Sequence, residues 1–109
     1  TATEAQSIIE DAIALEQAGC VMLLVEAVPP AVTEKIMAAT TLPLIGIGAG
    51  TACHGQVLVI HDLLGLTDDP PRFAQRNAQL GEAYLAAGKD WVARVSHRNI
   101  GGQIYTMKP

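Results

Sequence analysis

Three apolar runs in this chain end abruptly in groups able to do chemistry. Val25-Glu26-Ala27-Val28-Pro29 ends in a carboxylate. Pro43-Leu44-Ile45-Gly46-Ile47-Gly48-Ala49-Gly50 ends in bare backbone, and Gly55-Gln56-Val57-Leu58-Val59-Ile60-His61-Asp62 ends in an imidazole beside a carboxylate. In a parallel sheet the C-terminal strand ends share one face, which is where such folds place their ligands. Three such ends in succession point to part of an enzyme site.

Each group has a plainer role beside the chemical one. A carboxylate just past a sheet mostly sits in water. Held at the rim of an apolar site, Glu26 would instead have its proton affinity raised and could act as a general base. The glycine cluster is not a dinucleotide fingerprint: counted from Gly46 the third glycine falls at Thr51, and counted from Gly48 it falls at Cys53. No lysine follows at P-loop spacing. Positive φ or close backbone approach explains the glycines, and backbone so near a pocket is able to touch substrate. His61-Asp62 reads as a metal pair, an acid–base pair or a strand end with a hydrogen-bonded histidine. His54 lies seven positions earlier and neither CxxC nor HExxH spacing occurs, which argues against a self-contained zinc site. Cys53 has no nucleophile context and reads as a plain thiol.

The elements that must hold these groups alternate. Thr3-Glu4-Ala5-Gln6 has the form of a capping box, opening a helix with Ile8, Ile9, Ala12 and Leu15 on one face and Gly19 at its end. Residues 21–25 are continuously apolar, as in strands buried on both faces of a parallel sheet. Pro29 and Pro30 stop that strand, and Pro30 starts a helix with Val32, Ile36 and Ala39 inward. Residues 42–47 and 57–60 read as further strands. The link across residues 50–56 is shorter than a parallel crossover usually needs, so it is either a compact turn or the third run is not simply the next parallel strand. Asp68-Asp69-Pro70-Pro71 reads as a loop and helix start. Leu80, Tyr84, Ala87, Trp91 and Val95 then mark a last amphipathic helix, in which Tyr84 and Trp91 are packing residues. Gly81 and Gly88 weaken it by roughly 1 kcal/mol each relative to alanine. Residues 1–98 are expected to form part of one α/β domain, with residues 99–109 as a tail.

The totals fit such a piece. The chain has 109 residues, half of them apolar and 17% charged, which allows a packed interior. A net charge of -4 with no basic run argues against nucleic acid. Two cysteines make no disulfide framework, and no run is long enough to cross a membrane, so a cytoplasmic protein is expected. The first residue is Thr1 rather than Met, and two or three parallel strands leave sheet edges open. An upstream segment or a partner chain is therefore expected.

At these motifs the chain resembles ketopantoate hydroxymethyltransferases. The similarity runs from Asp11-Ala12-Ile13-Ala14-Leu15-Glu16-Gln17-Ala18-Gly19 through the three strand ends to Leu63-Leu64-Gly65 and Pro71-Arg72-Phe73. The resemblance implies a (β/α)8 TIM barrel of the phosphoenolpyruvate/pyruvate type, of which this chain is the C-terminal part. It implies transfer of a hydroxymethyl group from methylenetetrahydrofolate to 3-methyl-2-oxobutanoate, giving 2-dehydropantoate for pantothenate synthesis. It also implies a magnesium ion that acidifies the oxo acid. The metal's ligands would lie on earlier strands, since no residue here matches one. The family's proton acceptor matches Glu26, while Gly46, Gly48 and His61 are expected to line the substrate pocket. Ala27 stands where the family often has cysteine, and His54 where it usually has aspartate. A homo-oligomer is expected by the same resemblance. From a different class, a non-catalytic barrel fragment serving subunit association or folding is the alternative.

Overall fold

The structure, a computed structural model, describes residues 1–109. Helix α1 (Ala2–Gln17) is capped two residues earlier than the sequence motif suggests: Thr1, not Thr3, is the N-cap, and its hydroxyl accepts from Glu4 N. The Thr1/Glu4 pair satisfies the S/T-x-x-E form, so Thr3 is left inside the helix. At the other end Gly19 takes φ 97°, Cys20 N donates to Leu15 O and Gly19 N to Glu16 O. Those two bonds are the Schellman pattern that glycine makes possible.

Strand β1 (Leu23–Glu26) follows, then α2 (Pro30–Ala39) with Pro30 in its first turn, then β2 (Leu44–Ile47). The two strands pair in parallel, Leu23 opposite Leu44 and Glu26 opposite Ile47. Side chains alternate across the sheet. One face therefore carries Leu23, Val25 and Leu44 onto the helices, where they meet Ile9, Ala12, Val32 and Ile36. Leu44 and Ile36 are wholly buried. Ala39 is exposed, and the polar Thr33 and Thr40 complete the buried side of α2 instead, their hydroxyls donating to backbone carbonyls.

The other face has no helix. Leu24 is 64% exposed and Met22, just before the strand, 55%. The expected burial on both faces is thus realised in β2, where Leu44 and Ile47 are both buried, but not in β1. A continuous apolar run is the pattern of a strand covered twice, and on the second side Ile47 of β2 is covered while Leu24 of β1 is not.

The third strand is displaced. β3 is Gly55–Gln56, paired in parallel with Ile45 and Gly46, and the sheet order is β1-β2-β3. Residues 57–59 form no strand, and Ile60 opens the short helix α3 (Ile60–Leu63). The ladder stops because β2 ends: Gly48 turns away at φ 64°, leaving no partner beyond the Val57 N to Gly46 O bond. The short connection works because β3 enters beside Ile45, so the chain has only to return along part of β2.

Residues 64–79 contain no helix, contrary to the start expected near Pro70. Leu80 N donates to Leu64 O and Gly81 N to Gly65 O, which fastens the next element to the end of α3. That element is α4 (Leu80–Ser96), which buries none of its residues. Tyr84 is 65% exposed and Trp91 48%, so neither packs against the rest of the chain. The molecule measures 74 × 34 × 18 Å, with a radius of gyration of 23.5 Å, where about 13 Å is usual for a compact unit of this length. No helix is long and apolar enough to cross a membrane.

Candidate active site at the strand ends

Glu26 is the last residue of β1, exposed, and in register with Ile47 at the end of β2. Pleating puts it on the helix-free face with Leu24, Ile45 and Ile47. Its carboxylate enters no side-chain hydrogen bond or ion pair, whereas Ala27 N, next in the chain, donates to Ile47 O at 2.9 Å. Ala27 adopts φ 52°, a left-handed conformation that costs an L-residue about 1–2 kcal/mol. Strain of this kind, held by a cross-strand bond directly after a carboxylate, fixes how the chain leaves the sheet and hence how Glu26 is presented.

The β2 end is shaped by three close approaches. A side chain at Gly46 would meet Cys53 Sγ at 2.5 Å, one at Gly48 the Phe73 ring at 2.3 Å, and one at Gly50 the Pro30 ring at 2.9 Å. The loop after Gly48 is also pinned from below. Wholly buried Thr33 donates from Oγ1 to Ala49 O at 2.8 Å. Composition hid that role, because a threonine beside Val32 looks like a polar interruption of an apolar stripe. Around these residues lies an open cleft of about 550 Å³, walled by Pro30, Gly48, Thr51, His54, Gln56 and Phe73 among others.

The structure brings only some of the predicted residues together. Gly48 lines the cleft, while Gly46 lies beneath it on the helix-covered face. Glu26 and His61 are not among the cleft's walls. His61 sits in α3 rather than at a strand end, exposed and without a side-chain partner, with buried Asp62 beside it. No three His, Cys, Asp or Glu side chains gather closely enough to hold a metal ion, so the residues of this chain do not fit one by themselves. Glycines at a distance matter more than spacing implied. A side chain at Gly65 would lie 2.2 Å from Ala78 O and one at Gly81 2.7 Å from Gly65 O. Gly81 is therefore required for the crossing of two backbones rather than being a flaw in the helix.

Comparison with known proteins gives this arrangement its setting. The family model described as ketopantoate hydroxymethyltransferase matches residues 1–102. The chain is 46% identical over 97 residues to a 3-methyl-2-oxobutanoate hydroxymethyltransferase of Heliobacterium modesticaldum, covering 88% of this chain and 35% of the relative. It is 50% identical over 95 residues to 3-methyl-2-oxobutanoate hydroxymethyltransferase 2 of Pseudomonas aeruginosa, covering 85% and 36%. For the Pyrobaculum aerophilum enzyme of the same name the identity is 42% over 95 residues, covering 87% and 36%. The chain spans about a third of the length of these curated relatives. With its parallel strands, its strand-end carboxylate and its glycine-shaped loop, the chain belongs to the ketopantoate hydroxymethyltransferase family.

Proposed function

We propose that this chain supplies the C-terminal portion of a (β/α)8 barrel that transfers a hydroxymethyl group to 3-methyl-2-oxobutanoate, and that Glu26 is its base. The observation that carries the proposal is the place of Glu26: the C-terminal end of a parallel strand, on the face the helices leave free. In a barrel of this class that face is the interior, and its C-terminal rim is the substrate end.

Glu26 would take the proton from the carbon next to the keto group. The electron pair left there forms a carbon–carbon bond to the methylene carbon of methylenetetrahydrofolate. Water supplies the hydroxyl oxygen as tetrahydrofolate leaves, and the product is 2-dehydropantoate. The left-handed Ala27 and its bond to Ile47 hold the carboxylate's strand end in one orientation. Of the three expected pocket residues, Gly48 is assigned to the pocket wall, because it lines the strand-end cleft. Magnesium, when bound by residues outside this chain, would make the substrate carbon acidic. Residues 1–98 are assigned to the barrel and residues 99–109 to a tail, in a cytoplasmic homo-oligomer.

Glu26→Gln, made in an active protein carrying this segment, tests the base. Deuterium exchange from solvent into the substrate carbon should fall by about 10²–10⁴-fold. Unchanged exchange would remove Glu26 from the chemistry.

A further inference from the structure

We propose that His54 is a pH-sensitive clasp, whose neutral ring completes the sheet edge at β2 and whose protonation releases the loop that walls the strand-end cleft. Leu44, wholly buried, turns both of its backbone groups towards the β3 side of the sheet. Its carbonyl accepts from His54 N at 2.9 Å, as in an ordinary ladder. Its N–H donates not to a backbone carbonyl but to the His54 ring nitrogen Nδ1, at 3.0 Å. β3 begins only at Gly55, and before His54 the chain has already curved away through residues 48–53. The imidazole thus stands where one more strand residue would have offered its carbonyl.

A ring nitrogen accepts a hydrogen bond only while it is unprotonated. In an imidazolium both nitrogens carry hydrogen, so the Leu44 N–H would face another N–H and lose its partner. Imidazoles change charge between about pH 5 and 8. The clasp is therefore closed while the ring is neutral and opens when the ring takes up a proton. The groups facing His54 do not oppose this. Pro30 from α2, Thr51 and Gln56 from the loop and β3, and Phe73 from residues 64–79 share the cleft with it, and none of them titrates. The Cys53 thiol is the one other titratable group there, and His54 is in no ion pair. The inference does not depend on the proposed reaction, because it is read from a backbone amide rather than from turnover.

The test follows hydrogen exchange of the Leu44 amide by NMR from pH 8 to pH 5. It is expressed relative to the Leu23 amide, which bonds Pro43 O across the other pair of strands. Relative protection of Leu44 should fall about tenfold or more on acidification. His54→Asn, whose amide oxygen accepts without titrating, should keep it flat. His54→Leu should show low protection at both ends. A flat profile in the unsubstituted protein, or the same fall in His54→Asn, overturns the proposal. Should either variant fail to fold, scalar coupling between Leu44 nitrogen and His54 Nδ1 decides: present at pH 8 and lost at pH 5 supports the clasp, and absence at pH 8 refutes it.

Discussion

Residues 1–56 and residues 80–96 both form regular secondary structure, yet they are held in different ways. In the first region two helices and two strands share one buried cluster from Ile9 to Ala49, and the strand ends are set by bonds reaching across the sequence. In the second, α4 is fastened at its first turn, where Leu80 N and Gly81 N donate to Leu64 O and Gly65 O. Arg94 pairs with Asp90 at 3.0 Å and lies 5.3 Å over the Trp91 ring, while its apolar residues stay exposed. Exposed pairs of this kind contribute little. An amphipathic helical pattern therefore states that a face is meant to be covered, without stating what covers it.

Truncation should separate the two regions most sharply. Ile36→Ala, at a wholly buried position, should cost about 2–5 kcal/mol in urea unfolding. Trp91→Ala should leave the same transition within about 0.5 kcal/mol; an equal loss would break the distinction. Next is the joint between the regions. Gly65 has φ 74° and no room for a side chain beside Ala78 O, so Gly65→Ala should cost about 1–3 kcal/mol. It should also speed exchange of the Leu80 and Gly81 amides while sparing Leu23. A smaller loss is expected for Thr33→Val, about 1–2 kcal/mol, because it leaves the buried Ala49 carbonyl without its donor. Cross-peaks of Gly48 and Gly50 should shift with it; unmoved peaks would show that the hydroxyl does not pin the loop.

The smallest effect belongs to Glu16, half-buried at the end of α1. The hydroxyl of Thr41, and then its backbone N–H, hold the Glu16 carboxyl below the usual carboxylate range. A lowered value in the folded state means the added stability is present above the ordinary carboxylate range and is lost as pH falls through the lowered one. Glu16→Gln should therefore lower the melting temperature slightly at neutral pH and not at all in strong acid. A difference that persists in acid would contradict the pairing.

Much of the first region could be read from residue types. Gly19 ends α1, Pro30 opens α2, and apolar runs mark β1 and β2, because each depends on a local conformational preference or on the period of the chain. Glu26 was legible for the same reason, as the first charge after such a run. The third strand was not. Residues 57–59 carry every mark of a strand, but a strand needs a partner, and β2 has already turned away at Gly48. His61 moved from a strand end into α3 as a consequence.

Local chemistry, then, specified which segments are helical or extended and where a carboxylate meets a strand end, since those preferences act over a few neighbouring residues. Folding in three dimensions selected what spacing cannot encode: Thr33 under Ala49, the His54 ring on Leu44 N–H, and the Gly65–Gly81 crossing. Each joins residues between 10 and 16 positions apart. Such pairs meet only after the sheet and its loops have brought their backbones together.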